Sequence, residues 1–223
     1  VVVTEVVEVE VEVPAEAEEM EKPVTLHWNL GTEPPTADPS LTTDTTSVLV
    51  TGNTFVALTR IDQITNEVLP YLATEWEVGE DADGNQTWTF MLRDDVPWVK
   101  YDPATGEWAQ EVDEEGNPRF VNADDVVYGI KRTIDPETAS DYAYVLYGVI
   151  KNAFEVNTLE EGYTLDDVGV TALDANTVQI TLESPAPYFP SIASMWVMKP
   201  QPQWAIDEWG VKWTEAGLIV TNG

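Results

Sequence analysis

Residues 88–132 carry a strand and a capped helix in their residue order. In WTFMLRDDVPW, Trp88, Phe90 and Leu92 alternate with Thr87, Thr89, Met91 and Arg93, the period of a strand with one face in a core. Asp94 and Asp95 end it. In NADDVVYGIKR, Asn122 is placed to cap a helix, and Asp125, three residues on, is placed to reach back to the Asn122 amide. Val126, Val127 and Ile130 then form an apolar stripe. Lys131 and Arg132 sit in the last turn, where cations oppose the helix dipole, and Asp135-Pro136 ends the helix.

The flanking chain reads as short strands and helices joined by turn-forming residues. VTLHWNL, Val24 to Leu30, is a plausible first strand, followed by the loop GTEPPTADP with Gly31, Pro34, Pro35 and Asp38-Pro39. From Thr46 to Leu58 the apolar residues fall at near-helical spacing, interrupted by Gly52-Asn53. EWEVGEDADGNQTWTF predicts a β-hairpin turning at Asp83-Gly84, and VGVTALDANTVQITL a second one turning at Asp174 to Asn176. A helical stretch is expected from about Ser140 to Ala153, and a short helix at Trp204 to Trp209 between Pro202 and Gly210. Strands and helices mix without a strict alternation, which pattern alone assigns to α/β or α+β.

Charge and residue inventory exclude several functions. Forty-one acidic residues against ten basic ones give a formal charge of −31, which opposes nucleic-acid binding because phosphate contacts need clustered cations. Such a surface either solubilises the chain or steers a cationic ligand. There is no Cys and a single histidine, His27, so Cys-based zinc sites, thiol catalysis and a His-pair metal site are all out of reach of these residues. His27 sits in a short apolar strand and reads as structural. No Gly-rich phosphate loop occurs. No run approaches the roughly 18 apolar residues of a membrane span, and no signal peptide is seen. Residues 1–23 alternate Val with Glu and then turn Pro- and Glu-rich. That composition suits a solvated acidic tether, or else one amphipathic strand.

Candidate chemistry is sparse. Carboxylate pairs occur at Asp94-Asp95, Glu114-Glu115, Asp124-Asp125 and Asp166-Asp167, but neighbours on a strand point to opposite faces, and Asp125 already has a capping role. DADGN at Asp81 to Asn85 starts like a calcium loop, yet the twelfth position is Leu92 where a Glu is needed; a hairpin turn explains it. Trp76, Trp88, Trp98 and Trp108 read as core or hairpin packing, with Trp98 the one placed at a strand end to line a cleft.

The ordered motifs LATEW, the D-G turn, WTF-x-LR-x-x-V-x-W, ADDVVY with KR, DPETASDYA, VGVTALDANTVQITLESPAPYF, PQPQWAIDEWGVKWTE and IVTNG resemble those of the extracellular solute-binding proteins, family 5, of the oligopeptide, dipeptide and nickel transporter class. The resemblance runs from Val24 to Gly223. It departs at YDPATGEWAQEVDEEGNPRF, an insertion where many relatives have a short W-x-D-G turn. It implies a periplasmic-binding-protein-like type II α/β fold, first lobe only, of mixed sheets with flanking helices. Residues 24–54 and 184–223 would belong to the core of that ligand-binding lobe, residues 55–183 to an inserted α+β subdomain, and the second lobe would lie outside this chain.

The implied function is the substrate-binding component of an ABC importer, without catalysis, cofactor or metal. It would capture oligopeptides or related small solutes, nickel chelates and oligosaccharides included, outside the cytoplasmic membrane and deliver them to the membrane-embedded permease. The resemblance further implies a monomer in the periplasm or at the cell surface, lipid-anchored through a residue upstream of Val1. By motif match Glu33, Pro34 and Pro35 of the loop and Tyr128 of the capped helix would face the ligand. Two other classes stay open on the residues: a carbohydrate-active enzyme using paired carboxylates and Trp platforms, and a purely structural cell-surface module.

Overall fold

The computed structural model describes residues 28–223, and its organisation lies in the unit Gly31–Gly223. The acidic tether, His27 and most of the first strand expected at Val24 to Leu30 lie outside the described residues. A 3-10 turn at Pro39–Leu41 leads into α1 (Thr45–Thr54), β1 (Thr59–Ile61), β2 (Val68–Pro70), β3 (Ala73–Glu80), β4 (Gln86–Leu92), β5 (Val99–Asp102) and β6 (Glu107–Gln110). Then come α2 (Ala123–Ile134), α3 (Tyr144–Tyr147), α4 (Ala153–Asn157), β7 (Val170–Asp174), β8 (Thr177–Thr181), α5 (Phe189–Ile192), α6 (Gln203–Trp209) and β9 (Val220–Thr221). The mixture is α/β, with three antiparallel sheets ordered β1-β2, β3-β4-β8-β7 and β6-β5-β9. The four-stranded sheet falls wholly inside residues 55–183, whereas the three-stranded one joins β5 and β6 to β9.

β4 is the centre of the four-stranded sheet because its alternating residues have partners on both sides. Trp88 lies opposite Val78 and Ile180, and Phe90 opposite Trp76 and Val178. Trp88, Phe90 and Leu92 are buried, and Phe189 of α5 closes on the first two at ring separations of 6.0 and 6.2 Å. α2 lays Val126, Ile130 and Ile134 into the same core. Burying a side chain of this size stabilises by about 1.5–3 kcal/mol, and the apolar face of α2 supplies three.

Local polar geometry fixes the ends. The α2 capping box is complete: the Asn122 amide donates to Asp125 Oδ2 at 3.0 Å and the Asp125 amide to Asn122 Oδ1 at 3.2 Å. Asp81 holds the first hairpin turn by accepting from the amides of Asp83 and Asn85. α1 is rich in β-branched residues that favour helix weakly. It is held by Asp44, whose Oδ1 accepts from Thr46 and Ser47, and passes through Gly52-Asn53 before Phe55 turns extended. The helix expected at Ser140 to Ala153 is broken instead. Gly148 ends α3, Ile150 forms a bridge with Leu182, and the Lys151 amide donates to Thr181. The C-terminal end of β8 and Leu182 just after it thus compete successfully for backbone groups that a helix would use internally.

One glycine marks a close approach. A Cβ at Gly129 in α2 would meet the Lys199 carbonyl oxygen at 2.2 Å, because the chain at 199–201 crosses the helix there and the Gln201 amide donates to the Asp125 carbonyl at 3.0 Å. Gly129→Ala is expected to lower stability by about 1–3 kcal/mol despite the better helix propensity of Ala. Urea unfolding checks this, and an unchanged or higher midpoint would contradict the crossing.

Candidate functional site

The loop GTEPPTADP turns at Gly31, whose φ of 82° suits glycine, and then follows the N-terminal end of α1. The Thr32 and Thr46 hydroxyls meet at 3.0 Å and the Thr36 amide donates to Ser47 Oγ at 3.3 Å. Its far end is anchored by Asp38, which is buried. Arg132 of α2 grips both Asp38 oxygens, at 2.8 and 2.7 Å, and donates to Gln201 Oε1 at 2.6 Å. Trp213 Nε1 donates to Asp38 Oδ2 at 2.9 Å, and the Ser40 amide to Oδ1 at 3.0 Å. Gln201 Nε2 continues the network to Ser40 Oγ at 2.7 Å, which meets the Thr133 hydroxyl at 2.9 Å. A buried charge is tolerated only when its lone pairs are met in this way. The loop is consequently fastened to α2, to the segment at 199–202 and to Trp213.

Beyond that anchor the loop opens outward. Glu33 and Pro35 are exposed and Pro34 is half-buried. Tyr128 lies one helical turn before Arg132, hence on the same face of α2, and is half-buried. Burial raises its phenol above the ordinary tyrosine range, Arg132 opposes that rise, and Asp207 and Asp38 add to it. The residues expected at a ligand surface are therefore carried by two elements that the Asp38–Arg132 pair locks together.

Trp98 does not belong with them. It is 1 % exposed and its Nε1 donates to Asp125 Oδ2 at 3.0 Å. The reason is that β5 is followed by a hairpin that folds back over it: the Glu111 amide donates to the Trp98 carbonyl and the Trp98 amide to that of Arg119. The indole is a core group and a partner of the helix cap, not a cleft wall. Burial pushes the Asp125 carboxyl up to about 6, while the Trp98 and Asn122 N–H groups restrain that rise. Trp108, by contrast, is exposed and packs on Tyr101 at 5.3 Å within the β5–β6 hairpin of the insertion.

Several of the remaining acids are engaged locally. Asp95 is held by Arg93 at 2.5 and 2.8 Å. Asp113 accepts from Glu115 and Asn117, and Asp167 from the Thr164 amide and hydroxyl. Among the described residues no group of three or more His, Cys, Asp and Glu is placed to hold a metal ion, and no helix is long and apolar enough to cross a membrane. Sequence reasoning missed the anchoring set Asp38, Arg132, Gln201 and Trp213. In the sequence Asp38 reads only as part of a turn and Arg132 only as a dipole-compensating cation. The sole signal was an Arg and an Asp whose expected elements both carried proposed ligand residues.

The profile described as bacterial extracellular solute-binding proteins, family 5 middle, matches residues 67–223. The periplasmic oligopeptide-binding protein OppA of Escherichia coli is 34% identical over 200 residues, which is 89% of this chain and 32% of that protein. The oligopeptide-binding protein OppA of Bacillus subtilis is 35% identical over 201 residues, again 89% and 32%. Among solved structures, the murein tripeptide binding protein MppA of Escherichia coli superposes with a TM-score of 0.70 at 30% identity, covering 86% of this chain and 32% of that one. The chain spans about a third of the length of the curated relatives it matches. The match of profile, sequence and fold makes this chain a member of the bacterial extracellular solute-binding protein family 5.

Proposed function

We propose that this chain is the first lobe of a solute-binding protein that captures oligopeptides outside the cytoplasmic membrane and hands them to the permease of an ABC importer. The observation that carries the reading is the Asp38–Arg132 clamp, which holds the outward-facing Glu33-Pro34-Pro35 segment to the helix bearing Tyr128. In this proposal those four residues form one wall of a cleft, a second lobe supplies the other, and the ligand favours the closed arrangement by touching both. Oligopeptide-binding relatives over 89% of the chain support the ligand class. A monomeric, lipid-anchored form at the cell surface or in the periplasm belongs to the same proposal.

Binding without turnover is favoured over a carbohydrate-active enzyme because three of the four acid pairs have one member already engaged. Asp125, Asp95 and Asp167 each have their donors already. Calorimetry with tri- to pentapeptides should give micromolar affinity for the two-lobed polypeptide and no measurable affinity for residues 1–223 alone. Tyr128→Ala should weaken binding about tenfold, as loss of an aromatic anchor does. Micromolar binding by residues 1–223 alone would contradict the two-lobe account.

A further inference from the structure

The insertion at residues 101–120 leaves the three-stranded sheet with an open edge. β6 is the outer strand of the order β6-β5-β9 among the described residues, and its four residues are exposed. Because the Glu111 amide donates to the Trp98 carbonyl, the hydrogen-bonded pairs with β5 recur at Ala109–Lys100 and Glu107–Asp102. The backbone N–H and C=O groups of Trp108 and Gln110 therefore point away from β5. Side chains alternate across a strand, so Trp108 lies on one face, against Tyr101 at 5.3 Å, while Glu107 and Glu111 share the other. The hairpin is braced from behind, since β5 pairs with β9 and Lys100 sits over the Trp209 ring at 5.7 Å. Open edges are commonly blunted by Lys, Pro or a bulge, and β6 has none of these.

We propose that β6 is a docking edge for an extended segment of another protein in which Lys or Arg alternates with aliphatic residues. Added as a fourth strand, such a segment meets the open backbone groups of Trp108 and Gln110, the mode by which sheet edges bind peptides. Its aliphatic residues cover the Trp108 indole, 61% exposed, and its cations lie on the face of Glu107 and Glu111. Charge selects this occupant. Residues 101–120 hold six acids and one cation, and that cation, Arg119, is placed over the Trp204 ring at 4.4 Å. Among the described residues neither Glu107 nor Glu111 has an ion-pair partner. A second copy of this chain is disfavoured. Antiparallel pairing of β6 with itself about Ala109 would set Glu107 opposite Glu111 twice, and opposed like charges destabilise. The edge contains none of Glu33, Pro34, Pro35 and Tyr128, so docking there leaves the proposed peptide surface unoccupied.

The test is calorimetry of the full-length protein, its cleft saturated with a tripeptide, against an end-blocked heptapeptide of alternating Lys and Val and its Glu-for-Lys counterpart. Saturable binding of the Lys heptapeptide, weakening as salt is raised, is expected, with none of the Glu heptapeptide. Gln110→Pro removes an outward N–H that β5 does not use, a position where edge strands accept Pro, and should abolish binding. Trp108→Ala should weaken it at least about tenfold. Tripeptide affinity should persist in both variants, which shows them folded. If the tripeptide fails to bind the parent, the peptide reading fails, while the heptapeptides still decide this one. The proposal is overturned if the Lys heptapeptide does not bind saturably, if the Glu heptapeptide binds equally, or if Gln110→Pro binds the Lys heptapeptide as the parent does.

Discussion

Arg132→Met is expected to lower unfolding stability by about 3–5 kcal/mol, the cost of leaving a buried carboxylate without its cation. Side-chain exposure is 14% for Arg132 and 5% for Asp38, so water cannot replace the lost contacts. Asp38 would retain only the Trp213 indole and the Ser40 amide. Asp38→Asn in the Arg132→Met background should recover part of the loss, because two matched neutral groups avoid the stranded charge. Urea titration of the single and double variants gives the coupling energy directly. A loss below about 1 kcal/mol, typical of a surface pair, would mean that the loop is held by something else. The same variant should weaken peptide binding, because it frees the base of the Glu33 loop from the Tyr128 helix.

Lys199 gives the second large effect, and it depends on pH. Its ammonium is buried and donates to the Thr51 carbonyl at 2.6 Å and to the Phe55 carbonyl, at the C-terminal end of α1. Burial lowers it to about 7 from 10.5, while the two carbonyls and the negative end of the helix favour the charge. With a lowered folded value the native state has shed its proton where the unfolded chain still holds it. Stability therefore rises with pH between about 7 and 10.5, and the penalty of burying the cation is present in full below 7. Lys199→Met removes that dependence. The stability difference, parent minus variant, should grow by up to about 1.4 kcal/mol per pH unit across this window. A difference independent of pH would show that the ammonium stays charged throughout.

Local signals in the sequence reach the elements but not the connections between them. The alternation about Trp88 and the Asn122–Asp125 cap span a few residues and are read correctly, because strand period and capping chemistry act at short range. The anchor of the candidate site joins Asp38 to Arg132 across 94 positions and Ser40 to Gln201 across 161, distances at which no spacing rule applies. Trp98 was misplaced for a similar reason. Asp125 looked fully occupied by its capping role, yet its carboxylate had room for one more donor. The segment at 140–153 has helical spacing, but the C-terminal end of β8 captures its backbone at Ile150 and Lys151. In each case tertiary competition overrides local preference.

Asn222 Oδ1 accepts from the Val56 amide, a bond spanning 166 positions, and the Gly223 amide returns to the Thr54 carbonyl. During synthesis at about 5–20 residues per second, the segment after α1 waits on the order of ten seconds or more for this partner to leave the ribosome. Until then the Val56 amide and the Thr54 carbonyl are left to water. The last turn of α1 and the strand that follows it are therefore closed by residues made last, so this corner of the fold completes only after β9 exists.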